Sequence, residues 1–222
     1  MVRYSDKKKD EKKKKKQDTE EDTSLVTILN SAFDKPSLRL TGIYGDITEE
    51  KCSEAIYGLL ALHEAGKEIV RLDPDDEDSQ LVETHAPIEF YISTYGGSAS
   101  EMFAVYDVVR SIRDLSPVRT FGIGKVMSAG VLVLASGTKG ERRIGRHCRV
   151  MIHGVVSGQQ GHIADVENEF EEAKSTQKLY ISALASETNM TQKYIKKLMD
   201  KKTNVYLNAQ EAVDLGIADI II

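Results

Sequence analysis

Apolar and polar positions along the chain follow two periods. Short runs rich in β-branched and aromatic residues read as strands: Leu38 to Ile43, Ile88 to Ile92, Val118 to Ile123, Arg149 to Ile152 and Ile217 to Ile222, with Thr203 to Leu207 as a further extended piece. Between them, apolar residues recur every three or four positions. Cys52, Ala55, Ile56, Leu59, Leu60 and Leu62 predict a first helix, opened by a capping pair at Asp46 and Glu49 and ended by Gly66. Met102, Val105, Tyr106, Val109 and Ile112 predict a second, opened by Ser98 and Glu101. Val131 to Ala135 is apolar on every side and reads as a buried helix, and Ala135 to Gly140 as a loop. Gly154 to Gly161 is a glycine- and glutamine-rich connection. After it, Ile163, Val166, Phe170, Ala173, Gln177, Tyr180 and Leu184 share one side of a long helix from His162 to about Thr188. A helix of that length with so modest a stripe wants a partner helix or a second subunit. A lysine-rich helix follows over Thr191 to Lys202, and Asn208 with Glu211 caps a last one that ends at Gly216. Strands alternating with helices predict an α/β domain with a largely parallel sheet.

Two stretches fall outside this rhythm. Residues 1–23 carry lysine blocks (Lys7 to Lys9, Lys12 to Lys16) and an acidic cluster, Glu20 to Asp22, with almost nothing to bury, and read as a disordered tail ahead of a domain over 24–222. Lys67 to Pro87, which holds Asp73-Pro-Asp-Asp-Glu-Asp78, reads as an inserted acidic surface loop; its spacing is not that of a calcium loop.

Composition narrows the function. The chain has 222 residues and a net charge of -5, which gives no overall reason to expect nucleic-acid binding. Two cysteines, Cys52 and Cys148, make neither a disulfide framework nor a metal-ligand pattern, and the five histidines do not cluster. No apolar run approaches the length of a membrane span, and the N-terminus lacks the apolar core of a signal peptide. The expectation is a soluble cytoplasmic protein without metal or organic cofactor, bound neither to nucleic acid nor to membrane.

Chemistry concentrates at strand ends. Ser128, in Phe121-Gly-Ile-Gly-Lys-Val-Met-Ser-Ala-Gly130, stands where a strand turns into the buried helix, beside backbone N–H groups that have no intrahelical partner. Such a serine is a nucleophile with its oxyanion hole built in, or simply the cap of the helix that follows. Gly96 and Gly97 form a glycine turn after one strand, and His153 stands just past another. A mainly parallel sheet brings these ends to one edge.

At this point the chain resembles the proteolytic subunit of the Clp protease (the ClpP family), within the ClpP/crotonase superfamily. Tyr95-Gly-Gly-Ser98, Ala104-Val-Tyr-Asp-Val-Val109, Gly124-Lys-Val-Met-Ser-Ala-Gly130, Arg149-Val-Met-Ile-His-Gly154 and Leu207-Asn-Ala-Gln-Glu-Ala-Val-Asp-Leu-Gly-Ile-Ala-Asp219 carry the likeness, which runs from about Leu25 to Ile222. It implies repeated β-β-α units with a protruding long helix, or handle. It further implies Ser128 as nucleophile, His153 as base, and the N–H groups of Gly97 and Ala129 as oxyanion hole. The product would be a serine endopeptidase acting on peptides or unfolded proteins, in a homo-oligomer of two stacked heptameric rings served by a Clp-type ATPase.

Two features depart from the family, one at the catalytic centre and one at the surface. Its third catalytic member is an aspartate two residues before an aromatic; here the aromatic is Tyr206 and the position is Asn204, with Asp200 as a nearby substitute. Asparagine can orient an imidazole but brings no charge, so activity is expected to be attenuated. At the family's ATPase-docking cleft the chain has Glu89, Ser111, Arg143 and Gly145 beside Tyr91, Phe121 and Ile123, which weighs against docking because charge would be desolvated. Two other readings compete: a weakly active or inactive structural or regulatory ring subunit assembling with an active relative, and a crotonase-type enzyme acting on acyl-CoA thioesters. The serine and histidine, where crotonases use glutamates, oppose the last.

Overall fold

The computed structural model describes residues 38–76, 78–200 and 203–222. The charged tail and the domain start near Leu25 lie outside the described residues. In chain order the elements are β1 (Leu40–Tyr44), α1 (Glu49–Ala65), β2 (Lys67–Arg71), β3 (Leu81–His85), β4 (Ile88–Thr94), α2 (Ala99–Ile112), β5 (Val118–Met127), α3 (Ala129–Ala135), β6 (Arg143–Ile144), β7 (Arg149–Ile152), α4 (Ile163–Glu187), α5 (Gln192–Met199), β8 (Val205–Leu207), α6 (Ala209–Asp214) and β9 (Ile220–Ile221).

The main sheet runs β1-β4-β5-β6-β9, and β7 joins it between β5 and β8. Every pairing in it is parallel except β7 with β8. Strand β5 is the hinge of this arrangement. Its first half pairs with β6 at Phe121 and Gly122, its second half with β7 over Lys125 to Met127, and Gly124 between them has φ +64°. A side chain would resist that angle, so glycine lets one strand serve two neighbours.

Helices α1 and α2 pack on the sheet through Cys52, Ala55 and Leu59 and through Met102, Val105, Tyr106, Val109 and Ile112; the α2 stripe is the one read from the sequence, while in α1 Ile56 and Leu62 are only partly buried and Leu60 is exposed. All seven residues of α3 are buried. Its Val131, Leu132, Val133 and Leu134 are fully inaccessible, worth on the order of 6–12 kcal/mol together at about 1.5–3 kcal/mol per side chain. At the far end of α4, Glu187 is 1 % exposed and accepts from Tyr106 Oη at 3.0 Å and from both terminal nitrogens of Arg113 at 2.9 and 3.1 Å. That pairing makes a buried carboxylate tolerable and ties α4 to α2.

The structure corrects the sequence reading at several places. Lys67 to Pro87 is not a plain loop: β2 and β3 form an antiparallel hairpin with Lys67 opposite His85 and Arg71 opposite Leu81. The strands carry only short apolar pairs, Ile69-Val70 and Leu81-Val82, with no clear alternation, and the acidic turn between them dominates the sequence. Helix α1 is preceded by Thr48, not capped by Asp46, and no side chain makes the cap bond. Strand β5 extends to Met127, four residues past the expected end, and β6 is too short to announce itself. The Asn208–Glu211 capping box is formed as read.

Candidate active site

The β5–β7 register sets the site. Met127 pairs with Met151, and Ser128 N–H donates to the Met151 carbonyl at 2.8 Å, so Ser128 and His153 leave adjacent parallel strands together. Ser128 Oγ and His153 Nε2 lie 2.8 Å apart in a hydrogen bond. The helix-cap alternative for Ser128 fails on the same geometry, since its side chain makes no cap bond to α3.

Ser128 is the one non-glycine residue with positive φ among the described residues, at φ 54° and ψ -121°. Such a conformation costs of order 1–3 kcal/mol. Burial of α3 directly behind it is several times larger, which is why the turn persists and the hydroxyl stands clear of the helix. Glycines make the room. At Gly96 (φ +103°) a Cβ would lie 2.6 Å from Ser128 Cβ, and at Gly97 (φ +151°) it would lie 2.3 Å from the Ile47 carbonyl oxygen. Gly97 is held there because the Ile47 N–H donates to the Gly96 carbonyl and the Ser98 N–H to the Ile47 carbonyl, at 2.8 and 3.0 Å.

Ser128, His153 and Gly97 line one cavity of about 430 Å³, together with Tyr95, Met102, Val156, Thr176 and Tyr180. Both Gly97 and Ala129 border it, and among the described residues neither backbone N–H has an acceptor. A nucleophile bonded to an imidazole and two unengaged amide donors at one cavity can attack a carbonyl and hold the oxyanion that results.

Asn204 stands differently. Strands β7 and β8 pair Ile152 with Val205, so the antiparallel register, continued one position, sets Asn204 opposite His153. The two line a second cavity with Asp200 and Thr203. Among the described residues no hydrogen bond joins Asn204 or Asp200 to the ring, and Nδ1 of His153 has no partner. The structure brings Ser128, His153, Gly97 and Ala129 to one cavity and sets Asn204 beside them without engaging it.

Three residues that the sequence reading did not assign to the site support it. Tyr180 Oη donates to the Ser128 carbonyl at 3.2 Å, Gln177 Oε1 accepts from Val155 N–H at 3.1 Å just past His153, and buried Thr94 Oγ1 accepts from Gly96 N–H at 2.9 Å. Tyr180 and Gln177 had been visible only as members of the α4 stripe. Burial pushes the Tyr180 phenol well above its ordinary range, so the hydroxyl stays a donor. Burial likewise pushes Cys52 and Cys148, both free, up to about 11. Among the described residues, no group of three or more His, Cys, Asp or Glu is placed to hold a metal ion, and no helix is long and apolar enough to cross a membrane.

A separate apolar groove is lined by Leu40, Ile43, Tyr44, Tyr91, Ile92 and Ile123. Tyr91 and Phe121 stack at 4.5 Å beside it, Arg143 lies 5.1 Å over the Phe121 ring, and Tyr91 Oη donates to Glu89 at 3.1 Å. Glu89 and Arg143 thus flank the stacked rings without forming an ion pair with each other among the described residues.

A family model described as Clp protease matches residues 79–222, well over half of the chain and every residue of the site. The chain belongs to the Clp protease family, and its mixed α/β fold with a mostly parallel sheet is that family's.

Proposed function

We propose that this member of the Clp protease family is a serine endopeptidase subunit that cleaves peptides through an acyl-enzyme at Ser128. The observation that carries the reading is the 2.8 Å bond between Ser128 Oγ and His153 Nε2 at the head of a cavity with two free amide donors. With the ring carrying its proton on Nδ1, Ser128 O–H donates to Nε2. Attack of Oγ on the scissile carbonyl carbon passes that proton to Nε2, and the carbonyl oxygen becomes an anion received by Gly97 and Ala129 N–H. Collapse expels the amine, which takes the proton from His153. Water, deprotonated by the same ring, then releases the acid and restores Ser128.

Asn204 faces His153 in the continued register and would orient Nδ1–H through its side-chain oxygen, without the charge that stabilises an imidazolium. The reading is therefore an attenuated enzyme. Assembly into two stacked heptameric rings is part of the proposal. Helix α4 supports it: residues 163–172 are all exposed, and they include Ile163 at 79 % and Phe170 at 58 %. Docking of the usual Clp-type ATPase is not part of it, because Glu89 and Arg143 would have to be desolvated beside the groove.

A second reading, a structural or regulatory ring subunit working with an active relative, is favoured by the unpartnered Nδ1 of His153. One experiment separates the two. The assembled protein is treated with a fluorophosphonate and the modified residue mapped by mass spectrometry, with Ser128→Ala as control. Labelling at Ser128 supports the peptidase. An unlabelled wild-type oligomer would overturn it in favour of the regulatory subunit.

A further inference from the structure

The Ser128 carbonyl is the acceptor to follow. It receives Val131 N–H at 3.0 Å, the first hydrogen bond of α3, and also Tyr180 Oη at 3.2 Å. The second donor comes from a different element. On α4 the buried positions are Tyr180, Ile181, Leu184 and Glu187, so Tyr180 is the first residue at which this helix enters the core. Its ring lines the cavity that holds Ser128 and His153, and its hydroxyl reaches the backbone rather than a catalytic side chain.

The peptide that links Ser128 to Ala129 is planar and trans. Its C=O and N–H therefore point in opposite directions, and a rotation that moves one moves the other. Ser128, at φ 54°, lies outside the regions in which an ordinary residue rests, so its own backbone preferences do not hold that plane. The plane is held by whatever grips the carbonyl. Val131 N–H grips it from within the first turn of α3, the same short element that carries the Ala129 N–H. Tyr180 grips it from the buried end of a different helix, α4, which is anchored downstream by Glu187 to Arg113 and Tyr106.

We infer that Tyr180 is a positioning residue for the oxyanion hole: by bonding the Ser128 carbonyl it sets the orientation of the Ala129 N–H toward the developing oxyanion. The inference rests on the peptidase reading above and deepens it. It concerns the transition state and not the binding of substrate, because the Ala129 donor matters most once the carbonyl oxygen carries charge. Burial of the phenol keeps the donor protonated throughout the working pH range.

Tyr180→Phe removes one oxygen and leaves the ring. Losing an oxyanion donor outright lowers kcat by roughly 10²–10³-fold; because Val131 N–H still holds the carbonyl, the expected fall here is about 10-fold. With a fluorogenic peptide, kcat is expected to fall by that factor and KM to stay within about two-fold. A peptide boronate, whose tetrahedral adduct places an oxygen in the hole, is expected to bind weaker by the same factor. Thermal midpoint and oligomer size are measured alongside. If Tyr180→Phe matches wild type in kcat and boronate affinity while wild type hydrolyses peptide, the inference falls and the peptidase reading stands. If wild type itself neither hydrolyses peptide nor binds the boronate, the peptidase reading falls and takes the inference with it. A Tyr180→Leu variant guards against a packing role: loss of kcat that tracks the thermal midpoint across the two variants would overturn positioning. Should Tyr180→Phe fail to assemble, a ring-fluorinated tyrosine at position 180, a stronger donor of the same shape, is expected to keep or raise kcat, and a fall would overturn the inference.

Discussion

Replacement of Asn204 by aspartate tests the feature that most distinguishes this site. The β7–β8 register continued from Ile152 and Val205 puts position 204 directly across from His153, where facing Cβ atoms lie about 4.5–5.5 Å apart. A carboxylate there would sit within about 4–5 Å of the imidazolium formed during acylation. Two unit charges at that distance interact by about 4 kcal/mol at an effective dielectric of 20 and by about 1 kcal/mol in water. Asn204 is exposed and borders an open cavity, so solvent screening moves the answer toward the lower end, about 2 kcal/mol. At about 1.4 kcal/mol per decade this is roughly a 30-fold gain. It lies well below the factor of about 10⁴ that the opposite change costs a serine protease whose aspartate is buried, part of which is a wrong tautomer. The assay is steady-state hydrolysis of a fluorogenic peptide by the assembled Asn204→Asp protein. The gain is expected in kcat with KM little changed, since the charge acts on the transition state. A kcat within two-fold of wild type would refute the reasoning, because it would mean that position 204 does not reach the ring during the reaction.

Three further outcomes are expected. Gly96→Ala, which puts a Cβ 2.6 Å from that of Ser128 at φ +103°, should destabilise the fold by about 1–3 kcal/mol and suppress fluorophosphonate labelling; an unchanged labelling rate would show that the serine can move aside. Glu187→Gln leaves the partly buried Arg113 without its ionic partner, a loss of about 3 kcal/mol, the low end for a broken buried pair, read as the shift in a urea unfolding curve at constant slope. The third concerns pH. The His63 ring stacks on His85 at 4.3 Å, bonds Ser116 Oγ at 2.8 Å, and is held below its ordinary value by burial first and by His85 second, with Lys67 adding to the depression and Glu64 and Glu83 opposing it. A depressed imidazole stabilises the fold above the unfolded value near 6.5 and loses that contribution as pH falls through the folded value. Amide hydrogen exchange in the β2–β3 hairpin, corrected for intrinsic rate, should therefore rise between pH 7.5 and pH 5, and equal protection at both would count against the stacked pair as its anchor.

Charges stand close to the groove lined by Tyr44, Tyr91 and Ile123. Beside it Tyr91 stacks on Phe121, Arg143 covers the Phe121 ring and Glu89 takes the Tyr91 hydroxyl. Each charge is used locally, and an apolar anchor arriving there would have to strip water from both.

Much of this protein was legible from sequence because the signals are local. Period-of-two and period-of-four patterns marked the strands, the faces of α1 and α2 and the C-terminal end of α4, and a strand, a lone serine and an all-apolar helix in succession marked the turn at Ser128. Ser128 and His153 could be paired in advance, since parallel strands deliver their ends to a common edge. Tertiary structure decided the rest. That Ser128 sits at positive φ and spends its hydroxyl on His153 rather than on a cap depends on the β5–β7 register and on the burial of α3, both sums over many distant contacts. The hairpin at Lys67 to His85 was hidden because the turn's acidic residues dominate its composition, while its strands are specified by each other. Tyr180 looked like one more stripe residue: which carbonyl its hydroxyl meets, 52 positions away in the chain, is a matter of how α4 packs on α3. Local sequence encodes which residues can do chemistry, and only the packing of elements far apart in the chain decides which of them meet.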